Sequence, residues 1–204
     1  DGSVDLDATI AHAQALVEAT RVPITADLEN GFGDAPEAAA AAIRRAGAIG
    51  LAGGSIEDAT LGTGEPLYER ALAVERIHAA VEAARSLPYP FLLTARAENF
   101  VRGRPDVDDA LGRLEAYAGA GADVLCAPFL PDEDAIRRAR PDLIITQGLC
   151  AVCAPSGASV VELARSIDPA ITVVTLEPSS LEGIFNTIST IGAMTETEHK
   201  SLAL

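Results

Sequence analysis

Residues 22–58 read VPITADLENGFGDAPEAAAAAIRRAGAIGLAGGSIED, and this stretch decides the fold. It opens with a short apolar run, Val22–Asp27. It then crosses a glycine-bearing turn, enters an Ala-rich helical segment at Pro36–Ala46, and meets a second run at Gly53–Asp58. The order is strand, helix, strand. Two further runs follow, Phe91–Arg96 (FLLTAR) and Asp123–Pro128 (DVLCAP), and the segments Leu72–Ser86 and Val107–Ala118 between them have helical periodicity. An earlier helix is predicted over Leu6–Thr20, with Asp7 as its cap. Asp34-Ala-Pro-Glu37 predicts an N-cap at Asp34, with Pro36 and Glu37 in the first turn. The first three runs end at 27, 58 and 96, steps of 31 and 38 residues, which is one strand plus one helix per step. Repeating βα units of this length build a parallel sheet, either doubly wound or closed into a barrel.

Composition supports an α/β protein and narrows its partners. The chain has 204 residues, 49% of them hydrophobic but only 4% aromatic, so Ala, Val, Leu and Ile must fill the core. The net charge of −15 argues against nucleic acid and against an anionic membrane surface. A small anionic substrate remains compatible, because a local Arg and a metal can hold it inside an acidic protein. No apolar run reaches membrane-spanning length and no signal-peptide pattern is present, so a cytoplasmic location is expected. The sequence opens on Asp1 without Met, as a processed, trimmed or incomplete chain would. Cys126 lies in an apolar run and reads as core. Cys150 and Cys153 form a C-x-x-C pair whose spacing suits structural thiols, redox or metal.

Each of the first three strands ends in charge: Asp27 and Glu29, then Glu57 and Asp58, then Arg96 and Glu98. If the first strand extends far enough, alternation points Asp27 and Glu29 the same way. In parallel β/α folds the C-terminal strand ends build the active site. Carboxylates that meet there repel one another unless a cation lies between them. A few hard oxygens with room for water suit Mg²⁺ or Mn²⁺, and an Arg on the next strand offers a planar fork for an anion. A blander reading is that such acids, Asp34 and Asp58 among them, merely cap helices.

Three stretches sharpen this reading: Thr25-Ala-Asp27-Leu-Glu29-Asn-Gly31-Phe-Gly33, Ser55-Ile-Glu57-Asp58 and Thr94-Ala-Arg96. In order and spacing they resemble three motifs of the isocitrate lyase / phosphoenolpyruvate mutase family. The resemblance implies a (β/α) barrel enzyme that makes or breaks a C–C or P–C bond next to a small 2-oxo acid. It implies that Asp27 ligates Mg²⁺ (or Mn²⁺), that Glu29 helps through bound water, and that Glu57 completes the groups around the metal. It gives Arg96 the substrate's anionic group and places Asn30 and Gly31 at the substrate. Asp1 resembles the end of a loop that carries a further catalytic Asp. Ala59–Glu69 resembles the mobile loop that shields the site, with Gly62 and Gly64 as hinges. A homo-oligomer is compatible with the family. The isocitrate lyase branch carries a Lys-(Lys/Arg)-Cys-Gly-His loop, whereas Thr60–Tyr68 has no Cys, His or Lys, so isocitrate lyase itself is not expected.

Beyond about residue 138 the pattern changes. Arg140-Pro-Asp-Leu-Ile-Ile-Thr-Gln147, Cys150-Ala-Val-Cys153 and Leu176-Glu-Pro-Ser-Ser-Leu181 resemble the first lobe of a cobalamin-type substrate-binding protein. Ser159–Ile167 and Leu181–Ile191 read as helices and Thr172–Glu177 as a strand. The expectation is thus an α/β protein with a mainly parallel sheet: an incomplete TIM-like barrel over residues 1–138, and a C-terminal α/β segment over 139–204. The alternatives to a Mg²⁺-dependent lyase or mutase are a small-ligand, cobalamin-type binding module and a non-catalytic fragment that keeps a metal site.

Overall fold

The computed structural model describes residues 4–62, 64–129, 136–138, 141–147 and 157–194. Asp1, Cys150 and Cys153, for which roles were expected from sequence, lie outside them. The chain divides into two compact units, Asp1–Leu130 and Pro131–Leu204.

The first unit alternates α1 (Leu6–Ala19), β1 (Thr25–Asp27), α2 (Pro36–Ala48), β2 (Gly53–Glu57), α3 (Arg70–Arg85), β3 (Leu92–Arg96), α4 (Val107–Gly119) and β4 (Val124–Cys126). Its strands lie in the order β1-β2-β3-β4, every neighbouring pair parallel. A doubly wound sheet reverses its strand order at a switch point. This sheet instead advances one strand per βα unit, as a (β/α) barrel wall does. The second unit holds β5 (Leu143–Gln147), α5 (Gly157–Ile167), β6 (Thr172–Leu176) and α6 (Leu181–Met194), with β5 and β6 also parallel. The mainly parallel α/β architecture expected from the repeat is the one the chain adopts. Among the described residues no helix is long and apolar enough to cross a membrane.

Small side chains do the packing. Ala39, Ala40, Ala42, Ile43 and Ala46 of α2 are buried, as are Ala73, Ile77, Ala80, Ala83 and Ala84 of α3, and the two helices share the core with Ile56 and Leu93 of the sheet. Each fully buried Ile or Leu contributes about 1.5–3 kcal/mol. Poly-Ala faces let helices approach closely, which offsets the scarcity of aromatic bulk.

Two helix starts differ from expectation. Asp5, not Asp7, caps α1, its side chain accepting from the Ala8 N–H at 2.8 Å. Ala35, not Asp34, is the N-cap residue of α2, and it makes no side-chain cap bond. Asp34 instead accepts from the Tyr68 hydroxyl at 2.7 Å. A long-range buried partner has outcompeted the local cap.

Candidate active site

β1 ends at Asp27, β2 at Glu57 and β3 at Arg96, so the parallel register brings these side chains to one end of the sheet. The paired positions Glu57 and Arg96 are direct register partners. Arg96 is the hub. Its Nη1 donates to Asp27 Oδ2 at 2.6 Å, its Nε donates to Glu98 Oε1 at 2.9 Å, and its Nη2 lies 4.0 Å from Glu57 Oε2. Asp27 is held from its other side. Its Oδ1 accepts from Ser55 Oγ and from the Glu29 N–H, both at 3.0 Å. Its aim is fixed although the side chain is 54% exposed.

Glu29 is not aimed by strand alternation. The strand stops at Asp27, and Glu29 takes a left-handed conformation with φ 48°. Strand alternation therefore does not govern its direction. Its carbonyl accepts from the Glu57 N–H at 2.9 Å, which ties the first motif to the second.

Asn30 and Gly31, both expected at the substrate, are engaged within the protein. Asn30 is buried; its Nδ2 donates to the Tyr68 hydroxyl at 2.7 Å and its Oδ1 accepts from the Phe32 N–H at 2.9 Å. The Gly31 N–H is taken by the Leu28 carbonyl at 2.8 Å. With φ 81°, and with an added Cβ only 2.8 Å from Ala39 Cα, Gly31 is where the loop presses against α2. Both residues shape the loop after β1.

That loop is organised by Arg76 of α3, which sequence reasoning missed. The buried guanidinium donates to the carbonyls of Asn30, Gly33, Asp34 and Ala35. It stacks over the Tyr68 ring at 4.3 Å. Burial pushes the Tyr68 hydroxyl up to about 12, helped by the bond to Asp34. The only sequence signal was an Arg on the apolar side of a helix.

Glu98, named in the sequence only as a strand-end charge without a role, and Arg102, which sequence reasoning missed, both join the site. Glu98 is buried against Arg96, and Arg102 Nη2 donates to Glu57 Oε1 at 2.9 Å. Glu98 follows Arg96 by two positions along an extended segment, which could have been read. Arg102 lies in an irregular loop and carried no periodic signal. Asp58, adjacent to Glu57, turns into the core. It accepts from the Glu98 N–H, Arg113 Nη1 and the Tyr117 hydroxyl, at 2.9, 3.1 and 2.6 Å.

Acids outnumber cations in this cluster: Asp27, Glu57 and Glu98 face Arg96 and Arg102. Burial, with Glu98 nearby, raises the pKa of Glu57 above the ordinary carboxylate range, and the bond from Arg102 only partly offsets this. Burial alone would lower the pKa of Arg96, but Glu98 and Asp27 outweigh it and raise it. Among the described residues no three acid, His or Cys side chains converge into a metal cage. The donor set fits the other kind of site, in which one fixed, exposed carboxylate binds a hard ion that keeps most of its water. Asp27, exposed and fixed by Ser55 and the Glu29 N–H, has the chemistry that such a site asks for.

The base of the Ala59–Glu69 loop is pinned. Ala59 bridges Leu67 in antiparallel fashion, and the Thr60 N–H donates to the Pro66 carbonyl at 3.0 Å. Cys126, paired with Arg96 across the sheet, is half-buried, and burial raises its thiol pKa.

A family model described as phosphoenolpyruvate phosphomutase matches residues 1–182, further along the chain than the three motifs reach. The chain is 31% identical over 143 residues to 2,3-dimethylmalate lyase of Eubacterium barkeri, covering 67% of this chain and 48% of that protein. It is 30% identical over 142 residues to isocitrate lyase of Haloferax volcanii, covering 65% of this chain and 40% of that one. The chain thus spans about half the length, or less, of these curated relatives. Among solved structures, one named only as a lyase/mutase from Burkholderia cenocepacia J2315 is 42% identical with a TM-score of 0.68, covering 95% of this chain and 68% of that one. The crystal structure of 2,3-dimethylmalate lyase, at 22% identity and TM-score 0.67, shares the fold. With the motifs, the strand order and the match over residues 1–182 in agreement, the chain belongs to the phosphoenolpyruvate phosphomutase family of the isocitrate lyase superfamily.

Proposed function

We propose that this site serves a Mg²⁺-dependent (or Mn²⁺-dependent) lyase or mutase that makes or breaks a C–C or P–C bond beside a small 2-oxo acid. The observation that carries the reading is the convergence of Asp27, Glu57 and Arg96 at the C-terminal ends of successive parallel strands. In this reading Asp27 holds the metal directly, and Glu29 and Glu57 reach it through water. The metal, when bound, supplies Lewis-acid stabilisation of negative charge on the 2-oxo acid.

The protein's own contribution is preorganisation. Ser55 Oγ and the Glu29 N–H fix the Asp27 carboxylate before anything binds. Arg96 is oriented by Glu98, which fixes the plane of its guanidinium in advance. Its bond to Asp27 is the one that a bound cation would compete for, which would release Nη1 toward the substrate's anionic group.

A thermal melt tests this. Mg²⁺ with oxalate, a stand-in for the planar enolate, raises the melting temperature by mass action, and Asp27→Ala removes the effect. An unchanged shift in Asp27→Ala would sink the assignment of the metal site.

A further inference from the structure

Two guanidinium groups approach Glu57 from different elements. Arg96 comes from β3 with its Nη2 4.0 Å from Glu57 Oε2, and Arg102 comes from the loop after β3 with its Nη2 2.9 Å from Glu57 Oε1. Their commitments differ. Arg96 spends Nε and Nη2 on Glu98 and Nη1 on Asp27. Arg102 makes its hydrogen bond to Glu57 from Nη2, while its Nε is buried and has no hydrogen-bond partner. A charged donor left unmet in a buried place is costly. The fork formed by Nε and one Nη is the geometry that a carboxylate, phosphonate or phosphate oxygen pair satisfies.

The loop holds Arg102 in place rather than letting it wander. The Arg102 N–H donates to the Glu98 carbonyl at 2.9 Å, and the Arg104 N–H donates to the Asn99 carbonyl at 2.8 Å. Gly103 turns the chain at φ 71°, and Arg104 Nη1 pairs with Glu65 Oε2 at 2.7 Å, tying this loop to the one after β2. The Arg102 side chain is 30% exposed, so it stands at the boundary between the acid cluster and solvent.

We infer that Arg102 is a specificity-determining residue of this site, receiving the anionic end of the small acid that lies away from Arg96. The inference rests on the small 2-oxo acid reading of the site. Arg96 and Arg102 then bracket a ligand with two anionic ends, and Glu57 occupies Arg102 until such a ligand competes for it.

The test is equilibrium binding to the purified full chain in Mg²⁺, by calorimetry, with pyruvate (one anionic end) and freshly prepared oxaloacetate (two). The wild type, Arg102→Gln and Arg102→Lys are compared. The inference expects Arg102→Gln to weaken oxaloacetate about ten- to a hundredfold more than it weakens pyruvate, and this selective loss to be partly rescued in Arg102→Lys. If Arg102→Gln weakens both acids equally, Arg102 serves only to hold Glu57 and the inference is overturned. If the wild type binds neither acid, the small-acid reading itself fails, and the inference falls with it. Arg102→Lys, which keeps the charge, guards against a merely misfolded Gln variant.

Discussion

At Glu57 and Asp109 the same force, burial, has opposite outcomes because the partners differ. Glu57 has a raised pKa, from burial first and Glu98 second, so the folded state holds its proton more tightly than the unfolded chain does. Stability from this group is therefore present at low pH and is lost as pH rises through the folded value. With divalent ions chelated, Glu57→Gln should melt higher than wild type at pH 7 and lose that advantage near pH 4. The opposite trend in parallel melts would show that the Arg102 bond dominates. For Asp109, burial would raise the pKa, but hydrogen bonds from Arg70, Arg113 and Asn99 outweigh it and bring it down to about 2. Its stabilisation is present above the ordinary carboxylate range and is lost as pH falls toward that value. Asp109→Asn should cost about 2 kcal/mol near neutrality, the cost shrinking in denaturant titrations carried toward pH 2.

At the scale of elements, the turn from β1 to α2 decides how the site is held. Glu29, Gly31 and Phe32 all take positive φ, a cluster that persists only where the surroundings enforce it. Arg76 and Tyr68 are those surroundings. Gly31→Ala should therefore be destabilising by about 3 kcal/mol, from left-handed strain together with a backbone clash against α2. A urea midpoint within error of wild type would show that the turn relaxes freely. Tyr68→Phe keeps the ring under Arg76 but strips the hydroxyl from Asn30 and Asp34. A loss of about 2 kcal/mol is expected in the same titration.

At the scale of the molecule, charge and core are unevenly distributed. A net charge of −15 on 204 residues opposes compaction, so monovalent salt should raise the melting temperature through screening. The first unit owns most of the fully buried core, with β2 and β3 at its centre, while β6 carries no fully buried residue. Native-state hydrogen exchange should therefore find the amides of Ile56, Leu93 and Ala95 slower than those of Val173 and Val174. Equal protection in both units would contradict this ranking.

The sequence by itself determined the βα repeat, the parallel sheets and the charged strand ends. These follow from local periodicity and from the two-residue and 3.6-residue repeats of backbone geometry. It also marked Asp27 and Arg96, where the apolar runs stop, and the pair Glu57 and Asp58 at the end of the second run. Tertiary structure decided the rest. Strand order distinguished a barrel wall from a doubly wound sheet. The end of β1 at Asp27 removed Glu29 from the alternation that had seemed to aim it. Asn30 and Gly31 took up partners that brace the loop after β1, and Asp34 left its helix for Tyr68. Arg76 and Arg102 entered the picture only when distant segments met. The physical reason is common to all of these: hydrogen-bond demands of buried polar groups are met by whichever partner the fold brings near, and that partner is seldom a neighbour in sequence.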